Sequence, residues 1–406
     1  MKKPELLAPA GNLEKLKTAV DFGADAVYLG GSKLNLRAFA DNFDMAQLKE
    51  GINYAHERGK KVYVALNVFP HDEDLIDLED YLIELYNLKV DAAIVSDPGI
   101  IMTAREVVPS LELHLSTQAN NVNYKSAIFW YNQGITRIVL ARELSLTQIA
   151  EIRKKLPLKC KIEAFVHGSM CMSYSGRCLL SNYMTGRDAN RGACAQPCRY
   201  KYFLTEEKRP GEYFEVIEDD KGTYIMNSKD LCMIEFIPEL VQSGIESFKI
   251  EGRMKSSFYV AIVVKAYREA IDSYFKDPDN YKLNTDLLKD LSKVSHRKYH
   301  TGFYFGEGKQ LNETSSYIRN YDIVGIVRNY NEASKTALIE QRNRVFEGDI
   351  VEILRPLEPN FNIVLAEMKN LEGCEIDVAP VAQMLFTIKC EAHLKLNDMI
   401  IKIKQD

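Results

Sequence analysis

The chain has 406 residues, a net charge of −5, a hydrophobic fraction of 46% and a charged fraction of 27%, the balance of an ordinary globular protein long enough for two domains. That charge excludes a general polyanion binder, so contact with nucleic acid would need local basic patches. No stretch approaches the ~18 consecutive apolar residues of a membrane-spanning helix, and MKKPELLAPAGNLEKL at the start has no signal-peptide core, so the expected address is the reducing cytoplasm, where cysteines serve metals or catalysis more often than disulfides.

Short apolar runs follow one another from the N-terminus: Glu5–Ala8, Ala26–Leu29, Val62–Asn67, Ala92–Ser96, Leu113–Ser116, Arg137–Ala141, Lys161–Val166 and Ser247–Ile250. They are nearly continuous in apolar character, as strands covered on both faces must be. Between them lie stretches such as NLEKLKTAVDFGA and NYKSAIFWYNQG, apolar at helical spacing and closed by glycine. This alternation predicts an α/β fold, a (β/α)8 barrel of the TIM type over about residues 1–300. A doubly wound sheet is the alternative, but no G-x-G-x-x-G follows the first strand.

The interval between the seventh and eighth strands is far longer than the rest and predicts an insertion over about 167–245. Insertions after barrel strands build the C-terminal face, where barrel enzymes place their chemistry. Polar residues follow nearly every strand: Asn35 and Arg37, Asn67, Asp97, Gln118 and Asn120, Arg142 and Glu143, His167, and Glu251 with Arg253. Near the end of the barrel region comes HRKYHTGFYFGEG, a link to a second domain over about 301–406. Its six runs of period-two alternation, IVGIVRNY, KTALIEQR, GDIVEILRP, NFNIVLAEM, MLFTIKC and DMIIKIK, predict a small antiparallel β-barrel.

The insertion carries four of the eight cysteines, spaced Cys171-x6-Cys178-x15-Cys194-x3-Cys198. A structural zinc site would use four thiolates, usually as two C-x2-C knuckles, and neither pair has that spacing. An iron–sulfur cluster also takes four thiolates and accepts more varied spacing. Small buried cysteines are the third reading, disfavoured by the glycines and polar residues around these four. Spacing alone leaves zinc and cluster open. Cys160, Cys232, Cys374 and Cys390 lie in apolar patterns and are expected in the core, with Cys232 a spare ligand.

EAFVHGSMCMSYSGRCLLS, PAGNLEKLKTAVDFGADAVYLGG and KIEGRMKS together resemble the collagenase-like peptidases of unknown catalytic type, family U32. The resemblance covers the barrel and extends to the small β-domain. Members of this family are similar to oxygen-independent hydroxylation factors carrying a four-iron cluster, acting on tRNA wobble uridine with prephenate, on ribosomal RNA or on a ubiquinone precursor. In length, in its GAC-x3-C segment and in its second domain the chain resembles the tRNA branch. The resemblance implies a 4Fe-4S cluster on Cys171, Cys178, Cys194 and Cys198, tRNA as partner and prephenate as co-substrate for 5-hydroxyuridine formation.

The other readings are a peptidase of undefined mechanism and a non-catalytic, zinc-stapled RNA-binding module. A peptidase needs an activated nucleophile; neither G-x-S-x-G nor H-E-x-x-H is present, which leaves Cys171 with His167. Glu163 and His167 on the seventh strand are the candidate catalytic residues, alternation placing them on one face with Phe165. A carboxylate inside a barrel needs a partner, and Lys249, Glu251 or Arg253 on the eighth strand is the expected one, which makes a structural ion pair the competing role for Glu163. Arg142 and Arg253 suit bidentate recognition of a dicarboxylate such as prephenate, and Lys249 and Gln118 complete the expected substrate set. From Arg187 to Arg209, six basic residues (among them Arg187, Arg191 and Arg199) stand against three acidic ones and are interleaved with Tyr183, Tyr200, Tyr202 and Phe203. That is the composition of an RNA-contact surface, for which Arg187, Arg191, Arg199 and Tyr200 are the candidates.

Overall fold

The computed structural model describes residues 2–34, 42–171, 173–174, 178–199, 203–204, 214–215, 229–306 and 318–404. Eight parallel strands close a barrel: β1 (Glu5–Pro9), β2 (Ala26–Leu29), β3 (Lys61–Leu66), β4 (Ala92–Val95), β5 (Glu112–Leu115), β6 (Arg137–Val139), β7 (Lys161–Ser169) and β8 (Ser247–Ile250). Each pairs with the next, and β8 pairs with both β7 and β1, so no strand edge is left in the ring. Short polar side chains start the surrounding helices: Asn12, Asp44, Asp97, Asn123, Ser145 and Ser256 each accept a backbone N–H in the first turn. Asp97, one of the polar residues that follow the strands, is thus a helix cap.

Alternation along each strand sorts the core into two compartments. Leu6, Val27, Val64 and Ala93 face outward into the helix layer. Leu7, Ala26, Tyr28, Tyr63, Ala92 and Ile94 fill part of the barrel interior. A charged network shares the interior with them. Arg137 binds Glu5, and its Nη1 lies 3.0 Å from Glu163 Oε2, while Lys249 Nζ lies 2.7 Å from Glu163 Oε1. Two cations thus neutralise two carboxylates, as burial demands.

Strand β7 contains a bulge. Phe165 stands opposite Lys249 and His167 opposite Ile250, so Val166 is an extra residue in the ladder. Beyond it Gly168 takes φ +109°, and a Cβ there would meet Glu251 O at 2.5 Å. The stretch His167–Ser169 then receives an added antiparallel strand, Asp230–Cys232, which pairs in parallel with Tyr299–His300. The buried Asp230–Arg297 pair, 2.8 Å apart, locks this strap.

The C-terminal domain is an antiparallel half-barrel of seven strands, in the order Phe361–Val364, Ile350–Leu354, Met399–Ile403, Tyr321–Asn331, Thr336–Gln341, Leu385–Lys389 and Ala366–Asn370. The run NFNIVLAEM, expected as one strand, is two. They lie on opposite edges of the sheet with only Leu365 between them, so the sheet must curl to bring its edges together. Cys374, expected in a core, is exposed, whereas Cys160, Cys232 and Cys390 are buried. The domain packs on the helical layer of the barrel. Lys265, on the Ser257–Lys276 helix, donates to Arg355 O at 2.8 Å, to Asn360 Oδ1 at 2.6 Å and to Glu358 O. Leu354, Met399 and Ile401 join the barrel's outer core.

One contact fixes the barrel mouth. A Cβ on Gly11 would stand 2.0 Å from Arg253 O, so the loops after β1 and β8 touch backbone to backbone. Gly11→Ala is expected to lower the melting temperature by several degrees, equivalent to about 1–3 kcal/mol of overpacking, which a calorimetric scan against wild type reads directly.

Candidate functional site

A cavity of about 430 Å³ opens at the C-terminal ends of the barrel strands, between the barrel mouth and the insertion. All four insertion cysteines line it, together with Gln118, Arg142, Lys249 and Arg253. The expected address of the insertion is therefore the observed one, and residues from the loops after β5, β6, β7 and β8 meet there.

The cysteine wall is built from short contacts. Cys171 is exposed and Cys178, Cys194 and Cys198 are half-buried. Arg142 reaches over the Phe165 ring and donates from Nη1 to Ser169 O at 3.0 Å and from Nη2 to Cys171 Sγ at 3.3 Å. The backbone N–H of Gln196 donates to Cys194 Sγ at 3.4 Å. Cysteine binds a metal as the thiolate. Among the described residues no three His, Cys, Asp or Glu side chains converge tightly enough to form a metal site. The four cysteines share one cavity wall, and sulfur is the donor type that zinc and iron–sulfur clusters take.

The remaining walls are cationic and amide-bearing. Lys249 is 4% exposed, and its ammonium lies 4.4 Å from the Tyr28 ring centre. Arg253 is 6% exposed, and its carbonyl accepts from Lys15 Nζ at 3.5 Å. Counting Arg187 and Lys255, five basic side chains among the described residues line the cavity against one acidic one, Glu251. Such an excess favours an anionic ligand. Asn67 and Gln118 form the side opposite in charge character, held through Ser116.

Glu163 and His167 do not line the cavity. Glu163 sits below its floor at 0% exposure, and its partner is Lys249, as expected from β8, with Arg137 added from β6. Burial alone would raise its pKa; Lys249 and Arg137 outweigh that and hold it at about 2. Its two oxygens are both taken up by buried cations, Lys249 and Arg137.

His167 is the clearer correction. The bulge at Val166 turns it from the barrel interior into the outer layer, where it packs against the rings of Tyr259, Tyr267 and Tyr299. Burial lowers its pKa to about 3. Because the folded-state value lies below the ordinary 6.5, its stabilising contribution is complete above pH ~6.5 and declines as pH falls toward 3. The slope is about 1.4 kcal/mol per pH unit, and His167→Phe is expected to flatten this part of the stability–pH curve when urea midpoints are compared between pH 7 and 5.

The basic segment divides. Arg187 is exposed, lines the cavity and donates from Nε to Ala193 O at 2.9 Å. Arg191 does not point to a free surface: its two terminal nitrogens lie 2.8 and 3.2 Å from the two oxygens of Asp74. This fork fastens the insertion to the loop after β3. The side chain of Arg199 and all of Tyr200, Asn35 and Arg37 lie outside the described residues. Cys232, the expected spare ligand, is on the added strand away from the cavity, and burial pushes its thiol up to about 11. Tyr28 and Ser116 are cavity residues that sequence reasoning missed. For Tyr28 the only signal was a hydroxyl-bearing side chain in an otherwise aliphatic strand.

A model of "Peptidase family U32" matches residues 11–314, and one of "Peptidase family U32 C-terminal domain" matches residues 319–400. The chain is similar to tRNA hydroxylation protein P1 of Bacillus subtilis, 43% identical over 99% of this chain and 96% of that one. It is similar to tRNA hydroxylation protein P of Escherichia coli, 38% identical over 98% of this chain and 96% of that one. An uncharacterized protease of Methanocaldococcus jannaschii is 46% identical over 94% of this chain and 90% of that one.

Proposed function

The chain belongs to peptidase family U32, and we propose that within it the protein is an RNA-modifying enzyme that hydroxylates tRNA. The finer reading is oxygen-independent formation of 5-hydroxyuridine at the wobble position, with prephenate as co-substrate. The observation that carries it is the meeting of four cysteines and a cationic wall in one cavity at the barrel mouth, together with relatives named for tRNA hydroxylation along nearly the whole chain.

In this reading Cys171, Cys178, Cys194 and Cys198 would hold a 4Fe-4S cluster. Bound there, a cluster supplies one-electron transfer or a Lewis-acidic iron. Lys249 and Arg253 bind the carboxylates of the co-substrate, and Glu163 holds the Lys249 ammonium in place. Arg142 spans the cavity and the Cys171 sulfur, so it ties the orientation of a bound anion to the thiolate wall. Arg187 at the rim meets the RNA backbone.

The name of the archaeal relative raises proteolysis as the second reading. The best nucleophile–base pair for it was Cys171 with His167, and His167 is packed behind the cavity wall among tyrosines. Cys171 instead accepts from Arg142. The decisive experiment is nucleoside mass spectrometry of tRNA from a strain lacking the gene. Loss of 5-hydroxyuridine, restored by wild type but not by Cys171→Ala, is expected; unchanged 5-hydroxyuridine, or rescue by Cys171→Ala, would overturn the reading.

A further inference from the structure

We infer that Asn67 and Gln118 form the part of the cavity that reads the target base, accepting hydrogen bonds from the ring N3–H and ribose 2′-hydroxyl of a uridine nucleotide. The inference rests on the tRNA-hydroxylating reading above and assigns two residues within it. Asn67 directly follows β3, and Gln118 lies in the single turn Thr117–Ala119 after β5. Both hang on one hydroxyl: Asn67 Nδ2 donates to Ser116 Oγ at 3.0 Å, and the Gln118 backbone N–H donates to the same oxygen at 3.3 Å. Ser116 is fixed in turn, its N–H donating to Val95 O at 2.7 Å, while Ser96 Oγ holds the Asn67 carbonyl at 3.3 Å.

Both side chains line the cavity, yet Asn67 Oδ1 and Gln118 Oε1 are buried and accept from no donor among the described residues. A buried acceptor without a partner loses about 1–3 kcal/mol, and native proteins leave few such atoms. Two together on a rigid frame call for donors delivered through the cavity. That requirement sorts the candidate ligands. A carboxylate or a phosphate offers only acceptors at neutral pH and would be repelled, so the anionic groups belong on the Arg142, Lys249 and Arg253 side. A uridine offers N3–H and the 2′-hydroxyl, and side-chain amides are apt readers of unstacked bases. The cavity thus separates its ligands by hydrogen-bond polarity, with the co-substrate acid on the cations and the nucleoside on the amides.

The test is fluorescence anisotropy with an anticodon stem-loop RNA carrying uridine or 3-methyluridine at the target position. Wild type is expected to bind the uridine RNA about tenfold tighter, the equivalent of one hydrogen bond. Gln118→Met combined with Asn67→Leu is expected to bring the ratio near one, and Gln118→Glu, which keeps an acceptor, is expected to preserve it. Equal binding of the two RNAs by wild type, or an undiminished ratio in a double variant that melts like wild type, would overturn the inference. If the double variant does not fold, wild type compared with Gln118→Met alone decides. Hydroxylation of the same RNAs, followed by mass spectrometry, separates the two levels. Hydroxylation without discrimination sinks the base reading alone, and discrimination without hydroxylation sinks the activity.

Discussion

Serine in place of Cys171, Cys178, Cys194 or Cys198 is expected to lower bound iron from about four atoms per chain to below one in protein purified without oxygen. Each cysteine ligates a different iron in a four-iron cluster, so one weak ligand opens a corner that solvent can strip. All four line one cavity, and two of the sulfurs already accept N–H donors, from Arg142 and from the Gln196 backbone. Metal analysis and the visible absorption spectrum check this together. One zinc and no iron in the wild type would instead make the insertion a structural staple, and the hydroxylase reading would lose its chemical centre. Cys232→Ser, away from the cavity, is expected to leave iron content unchanged.

The second large effect is expected below the cavity floor. Glu163→Gln should destabilise the fold by about 3–5 kcal/mol, because it leaves the Lys249 ammonium without its carboxylate in the barrel interior and Arg137 with Glu5 alone. Glu163 is fully buried, within 2.7 Å of Lys249 and 3.0 Å of Arg137. Its pKa of about 2 lies below the ordinary 4.5, so its contribution is complete above pH ~4.5 and is lost as pH falls toward 2. The variant should therefore lose less stability than wild type over that window. Urea denaturation of Glu163→Gln, Lys249→Met and the double variant measures the coupling. The double variant, which removes the charges as a pair, is expected to recover much of the loss, and strict additivity would show that the pair does not interact.

The barrel was legible because parallel strands buried on both faces read as near-continuous apolar runs, and all eight are where those runs lie. The address of the cysteines was legible for a topological reason: an insertion after β7 has nowhere to go but the C-terminal face. What failed depended on single residues or on distant partners. KIEAFVHGS reads as plain alternation, and nothing in its composition marks Val166 as an extra residue; Gly168 was the only hint. NFNIVLAEM reads as one strand because a crossing at Leu365 leaves the alternation intact on both sides. Arg191 looked like part of an RNA patch because its partner, Asp74, comes from another loop and no local pattern pairs them. Cys374 sat in an apolar-looking stretch that is a turn, where Asn370 Oδ1 accepts its backbone N–H.

The insertion is held by polar contacts that do not run through its cysteines. Arg191 grips Asp74, Ser181 Oγ takes the Ala195 N–H at 2.9 Å, and Arg187 holds the Ala193 carbonyl. None of these bonds involves a sulfur: the first ties the segment to the barrel, and the other two brace it internally. Small metal-stapled modules, by contrast, are unfolded until their ion arrives. Here the Arg191–Asp74 fork docks the insertion on the barrel independently of its thiols.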